Sequence, residues 1–315
     1  MTPDPLRELL SPPLGPLLAA LWGALWGSFF NVAVGRLAAA AEEDESETWL
    51  GSARHALSSL RCLATPPSSC PRCRHPIRWH DNLPILGWVL LGGRCRDCRL
   101  PISPLYPLVE LAGSLIALDI FHRFVIAEPA PPLLQLSRFL VYFFFVGALL
   151  VLTLIDVETT LLPLSITLPG IPAFFLAGRL LPDVDTVDAL LGLGLGFGLL
   201  WLLRNGYFWL TGREGLGGGD EMLLGLIGGL LGWRALPPTL FLGAMSGLLV
   251  AVPALMVARA RGRADGEGAA PEDDEGAPAL RHVEVPFGPF LALGAVIYLF
   301  AGRWIWGLLV DQVTG

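Results

Sequence analysis

Two aspartates, Asp156 and Asp220, lie where long apolar stretches of the sequence give way to polar ones. An ionised carboxylate is costly to keep at a membrane boundary, so an acidic residue in that position indicates a functional site. Two such residues in one chain predict an acid/base pair whose carboxyl groups share one proton. One carboxylate would take a proton from a water molecule, while its protonated partner donates to a scissile carbonyl. The predicted chemistry is aspartyl hydrolysis.

A run of three glycines comes immediately before the second aspartate. We predict that Gly217 and Gly219 form a catalytic loop, because glycine can adopt a positive φ angle and lets a substrate strand come close. Asp220 would then begin a helix, whose N-terminal dipole favours an ionised carboxylate. Two alternatives stay open. The aspartates could merely cap helix ends, and Glu158 or Glu221 could supply the second carboxylate.

Four of the five cysteines form two Cys-x-x-Cys pairs, with 21 residues between the pairs. They are Cys70, Cys73, Cys95 and Cys98. This spacing is typical of a tetrahedral zinc site with four thiolate ligands, in which the metal has a structural role. The alternative is a pair of disulfides, but thiols stay reduced on the cytoplasmic side of a membrane. The fifth cysteine, Cys62, is expected to be a free thiol.

The composition indicates which elements must position these residues. The chain has 315 residues, a mean hydropathy of +0.60 and 16% charged residues, whereas soluble domains carry about 25% charged residues. Much of it must therefore face lipid. Eight apolar stretches approach the roughly 20 residues that a membrane-spanning helix needs. They are 14–34, 105–125, 139–155, 164–181, 189–210, 221–236, 240–258 and 287–309. We predict an all-α polytopic membrane protein with about eight transmembrane helices.

The distribution of arginine predicts the orientation of these helices. All 21 basic residues are Arg, and cytoplasmic loops carry an excess of positive residues. If residue 1 is outside, 15 of the 21 fall in loops on the inside. This topology places both aspartates at the cytoplasmic side. It also predicts a retained first helix rather than a cleaved signal peptide, because the apolar stretch is longer than a typical signal peptide's.

The chain divides by composition into three regions. We predict a first transmembrane helix in 1–35, a small cytoplasmic zinc-binding domain in 36–104, and a membrane aspartyl protease core in 105–315. Residues 262–279 lack apolar side chains and are expected to form a disordered linker. A run of glycines in 192–198 should allow close contact between helices. No basic face with interleaved aromatic residues is present in the sequence, so nucleic-acid binding is not expected.

A series of motifs resembles, in order and over nearly the whole chain, those of the type IV prepilin peptidase family. The motifs are GSFFNV (27–32), CPRC (70–73), NLPIL (82–86), GGRC (92–95), YPLVE (106–110), LID (154–156), LLP (161–163), GLGGGD (215–220) and VPFGPFLA (285–292). The resemblance implies a membrane aspartyl protease whose two catalytic aspartates match Asp156 and Asp220. The four cysteines match the metal-binding loop of the family. The chain departs from the family pattern at Met222, where a lysine is usual.

The resemblance also implies a substrate and a second reaction. The substrates would be type IV prepilins or type II secretion pseudopilins, which would lose a short basic leader on the cytoplasmic side of a bacterial inner membrane. The new N-terminal residue would then be N-methylated, with S-adenosylmethionine as the methyl donor. No G-x-G-x-x-G loop is present in the sequence, so any cofactor site would differ from a Rossmann site.

Two other functions compete with this prediction. The chain could be a catalytically degenerate zinc-knuckle membrane assembly factor for pilus or type II secretion systems, in which Met222 and Leu164 mark lost activity. It could also be a transporter that uses the two aspartates as proton sites. The transporter hypothesis would need more polar residues deep within the predicted spans than the sequence contains.

Overall fold

The computed structural model of the protein describes residues 5–43, 49–64, 67–212, 217–264 and 286–314. Within these residues the secondary structure is helical, and the β-structure consists of two isolated bridges. The all-α prediction is therefore confirmed. The expected linker at 262–279 lies outside the described residues from residue 265 onward, and the division into three regions stays a prediction.

Eleven α-helices follow one another in the described residues. They are α1 (Pro5–Leu9), α2 (Leu14–Glu42), α3 (Trp49–Ser59), α4 (Leu86–Leu90), α5 (Leu105–Phe121), α6 (Pro132–Thr159), α7 (Leu164–Gly178), α8 (Thr186–Thr211), α9 (Gly218–Leu231), α10 (Leu236–Ala264) and α11 (Gly288–Thr314). A single π-helical turn, His122–Ile126, continues α5, and a 3₁₀ turn, Trp233–Ala235, joins α9 to α10.

Every one of the eight predicted spans falls on a helix, but fewer of these helices are long and apolar enough to cross a membrane. Four candidates meet both conditions in the described residues. They are Leu14–Glu42, Pro132–Thr159, Thr186–Thr211 and Trp233–Pro253. Two shorter apolar helices, Leu164–Gly178 and Gly288–Gly302, fall below the length. The number of eight crossings therefore stays a prediction.

Helix α9 is the innermost element of the fold. All of its residues from Asp220 to Leu231 are buried, which is expected for a helix that is apolar on every side. It packs against α7, α8, α10 and α11. With 14 residues it is only about 21 Å long, so its burial comes from neighbouring helices rather than from its own length.

Glycine lets α8 and α9 come into backbone contact. A Cβ atom on Gly192 would overlap the carbonyl oxygen of Gly228, and a Cβ on Gly196 would lie 2.5 Å from that of Leu224. Gly194 and Gly198, by contrast, have open space where a Cβ would lie. The predicted role of the glycine run in close packing is thus confirmed at two of its four positions.

Glycines also bring α2 into backbone contact with α5. These two helices flank the cysteine-containing segment. A Cβ on Gly27 would lie 2.6 Å from the Cα of Glu110, and a Cβ on Gly113 would lie 2.5 Å from the carbonyl oxygen of Gly23. Further packing holds α2 against α6, where the ring of Phe30 covers Gly147. These contacts fix the position of the segment between α2 and α5 relative to α6.

Replacement of Gly192 by alanine should separate α8 from α9 and lower the thermal unfolding midpoint of the detergent-solubilised protein. Overpacking of a tight contact typically costs about 1–3 kcal/mol. Gly194→Ala is the matched control, because it adds the same methyl group on the same helix where nothing lies within 4 Å. That variant should be neutral or slightly stabilising, since alanine favours helix more than glycine does. Equal midpoints for the two variants would contradict the close contact.

Candidate functional site

Asp156 lies in the last turn of α6, and the local sequence explains why the helix ends there. Thr160 adopts the left-handed conformation, with φ of 56°, and its N–H donates to the carbonyl of Asp156 at 2.8 Å. Pro163 then follows, and it cannot continue a helix. The Asp156 side chain is 4% exposed. It accepts a hydrogen bond at Oδ2 from the N–H of Gly288, the first residue of α11, at 3.0 Å.

Asp220 is the third residue of α9 and is 8% exposed. The glycines before it were predicted to use positive φ angles, and that reason is wrong. Gly217 is extended, with φ of −68°, Gly218 begins the helix, and none of the three is among the residues with positive φ. At Gly219 a small residue is required by packing within the protein, because a Cβ there would lie 2.5 Å from the Cβ of Leu162, and the close approach of a substrate strand stays a prediction. At Gly217 nothing lies within 4 Å.

The structure brings the two aspartates into one buried site, although 64 positions separate them in sequence. Asp156 contacts Gly288, and Asp220 directly follows Gly219. Leu162 occupies the space between the elements that carry them, because it lies against Gly219 on one side and Gly288 on the other. Any Cβ at residue 288 would come within 2.6 Å of Asp156 Oδ2. Small residues at these two positions therefore let α6, α9 and α11 converge.

The two competing glutamates differ sharply in position. The Glu158 side chain is exposed on the surface of the protein. Glu221, next to Asp220, is 6% exposed, and its Oε1 lies 3.3 Å from Arg204 Nη2. Its second oxygen, Oε2, is buried and has no hydrogen-bond partner in the part of the chain that the structure describes. Met222 is buried beside them. The site thus contains a third carboxylate, which one arginine partly neutralises.

Arg204 is a residue of this site that sequence reasoning missed. It lies on α8, and its guanidinium lies against Gly218 as well as Glu221. From the sequence alone, an arginine near the end of an apolar helix is interpreted as a residue that sets membrane orientation. Only the packing of α8 against α9 shows that it faces the acidic end of α9.

The four paired cysteines converge, and their sulfur atoms all lie within 4.8 Å of one another. The Sγ atoms of Cys70 and Cys98 are 3.9 Å apart, and those of Cys73 and Cys95 are 4.0 Å apart. Zinc–sulfur bonds of about 2.3 Å in a tetrahedron place sulfurs about 3.8 Å apart. All five cysteines are free, so the disulfide alternative is not what the structure contains. The donor set and its spacing fit a tetrahedral metal ion.

Two nearly identical turns build this cysteine cluster. The N–H of Cys70 donates to the carbonyl of His75 at 3.0 Å, and that of Cys95 donates to the carbonyl of Leu100 at 2.9 Å. Each turn closes with an arginine, residue 74 or 99, at φ of 58°. The signal in the sequence is a repeat of CxxCRxPI at 70–77 and 95–102. This short repeat is visible in the sequence without a structure.

Backbone N–H groups and an arginine side chain stabilise negative charges in the cysteine-containing segment. The N–H groups of Cys73 and Arg72 lower the pKa of the Cys70 thiol, whereas burial and the neighbouring thiols raise the pKa of Cys73 and of Cys98. The Arg96 guanidinium donates to both oxygens of Asp81 and lowers the pKa of that carboxyl. The contact between Arg96 and Asp81 ties the segment between the two cysteine turns to the second of these turns.

Glu110 fastens the cysteine-containing segment to the helices. This carboxylate is 8% exposed, and its Oε2 accepts a hydrogen bond from the N–H of Ile85 at 2.6 Å. Ile85 has φ of 61°, which is a rare conformation for a β-branched residue. Asn31 of α2 also donates to the carbonyl of Tyr106 at 3.0 Å. The strained residue is thus held by a buried carboxylate that the aspartate chemistry does not use.

Comparison with known protein families gives two matches along the chain. Residues 21–124, which contain the four cysteines and Glu110, match the Bacterial Peptidase A24 N-terminal domain. Residues 143–252, which contain Asp156 and Asp220, match the Type IV leader peptidase family. The two matches therefore separate the cysteine-containing part from the aspartate-containing part.

Several curated proteins are similar over most of this chain, and all three described here carry the name prepilin leader peptidase/N-methyltransferase. The protein of Pseudomonas aeruginosa is 34% identical over 298 residues, which cover 91% of this chain and 88% of the relative. The Klebsiella pneumoniae protein is 40% identical and covers 68% and 84%. The Burkholderia pseudomallei protein is 35% identical and covers 87% and 82%. No solved structure shows a significant match.

Replacement of Glu110 by alanine should loosen the segment around Ile85. The Ile85 N–H would lose its buried acceptor, and an unsatisfied buried donor costs about 1–3 kcal/mol. Hydrogen exchange of residues 81–93, followed by mass spectrometry, should therefore become faster in Glu110→Ala. Glu158→Ala, which removes an exposed carboxylate, should leave that exchange unchanged. Unaltered exchange in both variants would show that Glu110 does not hold the segment.

Proposed function

The chain belongs to the type IV leader peptidase family, and we propose that it removes the leader of type IV prepilins by aspartyl hydrolysis at Asp156 and Asp220. The observation that carries this proposal is the convergence of two buried carboxylates from α6 and α9 at one site. Mere helix caps would have no reason to bring two like charges into one buried site. That arrangement favours catalysis over the capping alternative.

The mechanism follows from the repulsion between the two carboxylates. Two like charges in a buried site cannot both stay ionised, so the pair retains one proton. The ionised member takes a proton from a bound water molecule, which attacks the scissile carbonyl, and the protonated member donates to the carbonyl oxygen. Gly288 N–H orients the Asp156 carboxylate through its hydrogen bond. Arg204 limits the negative charge that Glu221 adds beside Asp220.

The membrane setting accounts for the choice of substrate in this proposal. A prepilin carries an apolar helix directly after its leader, and that helix lies in the bilayer. Its cleavage site would then lie at the membrane boundary, where α6 ends and α9 begins. The excess of arginine in the predicted inside loops supports a site that faces the cytoplasm of a multi-pass inner-membrane protein. Type II secretion pseudopilins have the same substrate chemistry and are included in the proposal.

A second activity is proposed from the names of the relatives. We infer that the chain also methylates the newly exposed N-terminal amine, with S-adenosylmethionine supplying the methyl group. The amine must first be freed by leader removal, so the two reactions have a fixed order. No residue of this chain is assigned to the methyl donor.

We further propose that Cys70, Cys73, Cys95 and Cys98 hold one structural zinc ion. All four positions of a tetrahedron are filled by thiolates, which leaves none for a reacting water. The metal would join the two turns and thereby stabilise a segment that has little apolar core of its own. A catalytically degenerate assembly factor remains the competing function, and it predicts that only the cysteines matter.

Asp156→Asn and Asp220→Asn should each abolish leader removal from a co-expressed prepilin. Loss of acid/base catalysis costs about 100-fold or more in rate. Mass spectrometry of the prepilin would report the leader and the added methyl group separately, and both should be missing. Glu158→Gln is the matched control, because it neutralises an exposed carboxylate two residues from Asp156, and it should process normally. Processing by both aspartate variants would disprove the catalytic role of these residues, and absence of processing by the unsubstituted protein would favour the assembly-factor function.

Purified protein should contain about one zinc ion per chain by elemental analysis. Cys98→Ser should lose the metal and lower the thermal stability, because one thiolate of four is removed. Cys62→Ser should keep the metal, since Cys62 lies outside the cluster. Preparations that contain no metal, or equal metal contents in the two variants, would disprove the zinc assignment.

A further inference from the structure

A cavity lies at the opposite end of the bundle from the aspartates. It has a volume of about 570 Å³ and is bounded by α6, α8, α11 and the 3₁₀ turn after α9. Tyr142, on its wall, precedes Asp156 by 14 residues of α6, a rise of about 21 Å. Trp306, on the α11 side, follows Gly288 by 18 residues, about 27 Å along that helix. The cavity therefore lies about 21–27 Å from the aspartates along these helices, toward the opposite membrane boundary.

Two opposite charges line this cavity without pairing. Asp188 of α8 accepts a hydrogen bond at Oδ1 from the Trp233 indole at 3.1 Å, and it forms no ion pair with any described residue. Arg234 lies with its guanidinium carbon 5.8 Å from the centre of the Trp233 ring. Within the described ranges it too has no carboxylate partner. A carboxylate and a guanidinium thus flank one tryptophan, and both remain available.

Asp183, another acid on the wall of this cavity, has hydrogen-bond partners within the protein. Asp183 accepts two hydrogen bonds from Arg138, at 3.0 and 2.6 Å, and a third from the Tyr142 hydroxyl at 3.1 Å. Its charge is neutralised by the protein itself. The contrast between Asp183 and Asp188 indicates that the charge of Asp188 is left for a ligand.

The aromatic side chains on the cavity wall can stabilise a bound cation that is no longer fully hydrated. Trp233 and Trp306 have ring centroids 6.4 Å apart and meet edge to face at 65°, and Tyr298 lines the cavity next to them. The Trp306 indole donates to the Arg234 carbonyl at 3.2 Å, which fixes its ring. Aromatic faces attract ammonium groups. Tryptophan and tyrosine are also the residues that concentrate at lipid headgroup level.

We propose that this cavity binds the headgroup of a phospholipid that carries a primary amine, with the ammonium on Asp188 and the phosphate on Arg234. The charge pattern is complementary to a zwitterion with its two ends on either side of Trp233. A primary ammonium can donate a hydrogen bond to the carboxylate, whereas a trimethylammonium cannot. The acyl chains would leave along apolar wall residues such as Leu299. This site is separate from the aspartates and does not depend on the proposed peptidase function.

The proposal is tested with purified, delipidated full-length protein and vesicles of defined lipids. Native mass spectrometry would count bound lipid after exposure to phosphatidylethanolamine, phosphatidylcholine or phosphatidylglycerol. The wild-type protein should retain phosphatidylethanolamine in clear preference to the other two. Asp188→Asn should reduce that retention by about tenfold, because a charge-assisted hydrogen bond is lost. The asparagine can still accept the Trp233 hydrogen bond, so the fold should be kept, as a thermal unfolding midpoint would verify.

Asp185→Asn provides the matched control. Asp185 is the N-cap of the same helix, forms no side-chain capping hydrogen bond and does not line the cavity. It should retain phosphatidylethanolamine as the wild type does. Arg234→Gln, a change at an exposed residue, tests the phosphate end independently and should weaken phosphatidylethanolamine and phosphatidylcholine alike. Equal retention of the three lipids by the wild type would overturn the proposal, as would identical behaviour of Asp188→Asn and Asp185→Asn.

A competition experiment distinguishes a membrane lipid from a soluble molecule that has the same headgroup. Glycerophosphoethanolamine has the headgroup without the acyl chains. It should displace the bound lipid only at a concentration far above that of the lipid, because the chains contribute apolar contact. Displacement at comparable concentration would overturn the assignment to a lipid.

Discussion

Two carboxylates can share a buried site only if the surrounding structure holds them against their repulsion and their loss of water. In this protein three helix ends provide that constraint: α6 carries Asp156 in its last turn, α9 carries Asp220 in its first turn, and α11 begins with Gly288. The N–H of Gly288 donates to Asp156, and Leu162 fills the space between the glycines at 219 and 288. Movement of α6 or α9 would change the distance between the carboxylates, and movement of α11 would remove the hydrogen bond that Gly288 donates to Asp156.

The rest of the bundle serves this convergence. Helix α9 can carry an acid at its buried end because α7, α8, α10 and α11 enclose its apolar length. The glycines at 192, 196 and 228 bring α8 close enough for Arg204 to reach Glu221. Thus the packing contact and the electrostatic contact between these helices depend on each other. An arginine at the same place in sequence but on a more distant helix would leave the acidic end without a cation.

The sequence predicts the chemistry-bearing residues better than it predicts their partners. The aspartates and the four cysteines have local signatures, namely a membrane-boundary position and a Cys-x-x-Cys spacing, so both groups could be found without a structure. Arg204, Glu110 and Asp188 have none, because their roles depend on contacts with residues 17, 25 and 45 positions away. The predicted positive φ of the glycine loop failed for a related reason. Small size and backbone freedom favour the same residue, and only the neighbouring Leu162 shows which of the two matters here.

The shortness of α9 has a consequence for how the substrate is reached. A helix that rises about 21 Å cannot extend across a hydrocarbon layer about 30 Å thick, so its acidic end cannot stand level with one surface while its other end stands level with the opposite one. If the far end of α9 lay level with the opposite surface, Asp220 would be recessed or the bilayer around it would be thinned. Either arrangement would place the aspartates in a wetted vestibule beneath the headgroups. An unwound polypeptide could enter such a vestibule from the aqueous side without crossing lipid.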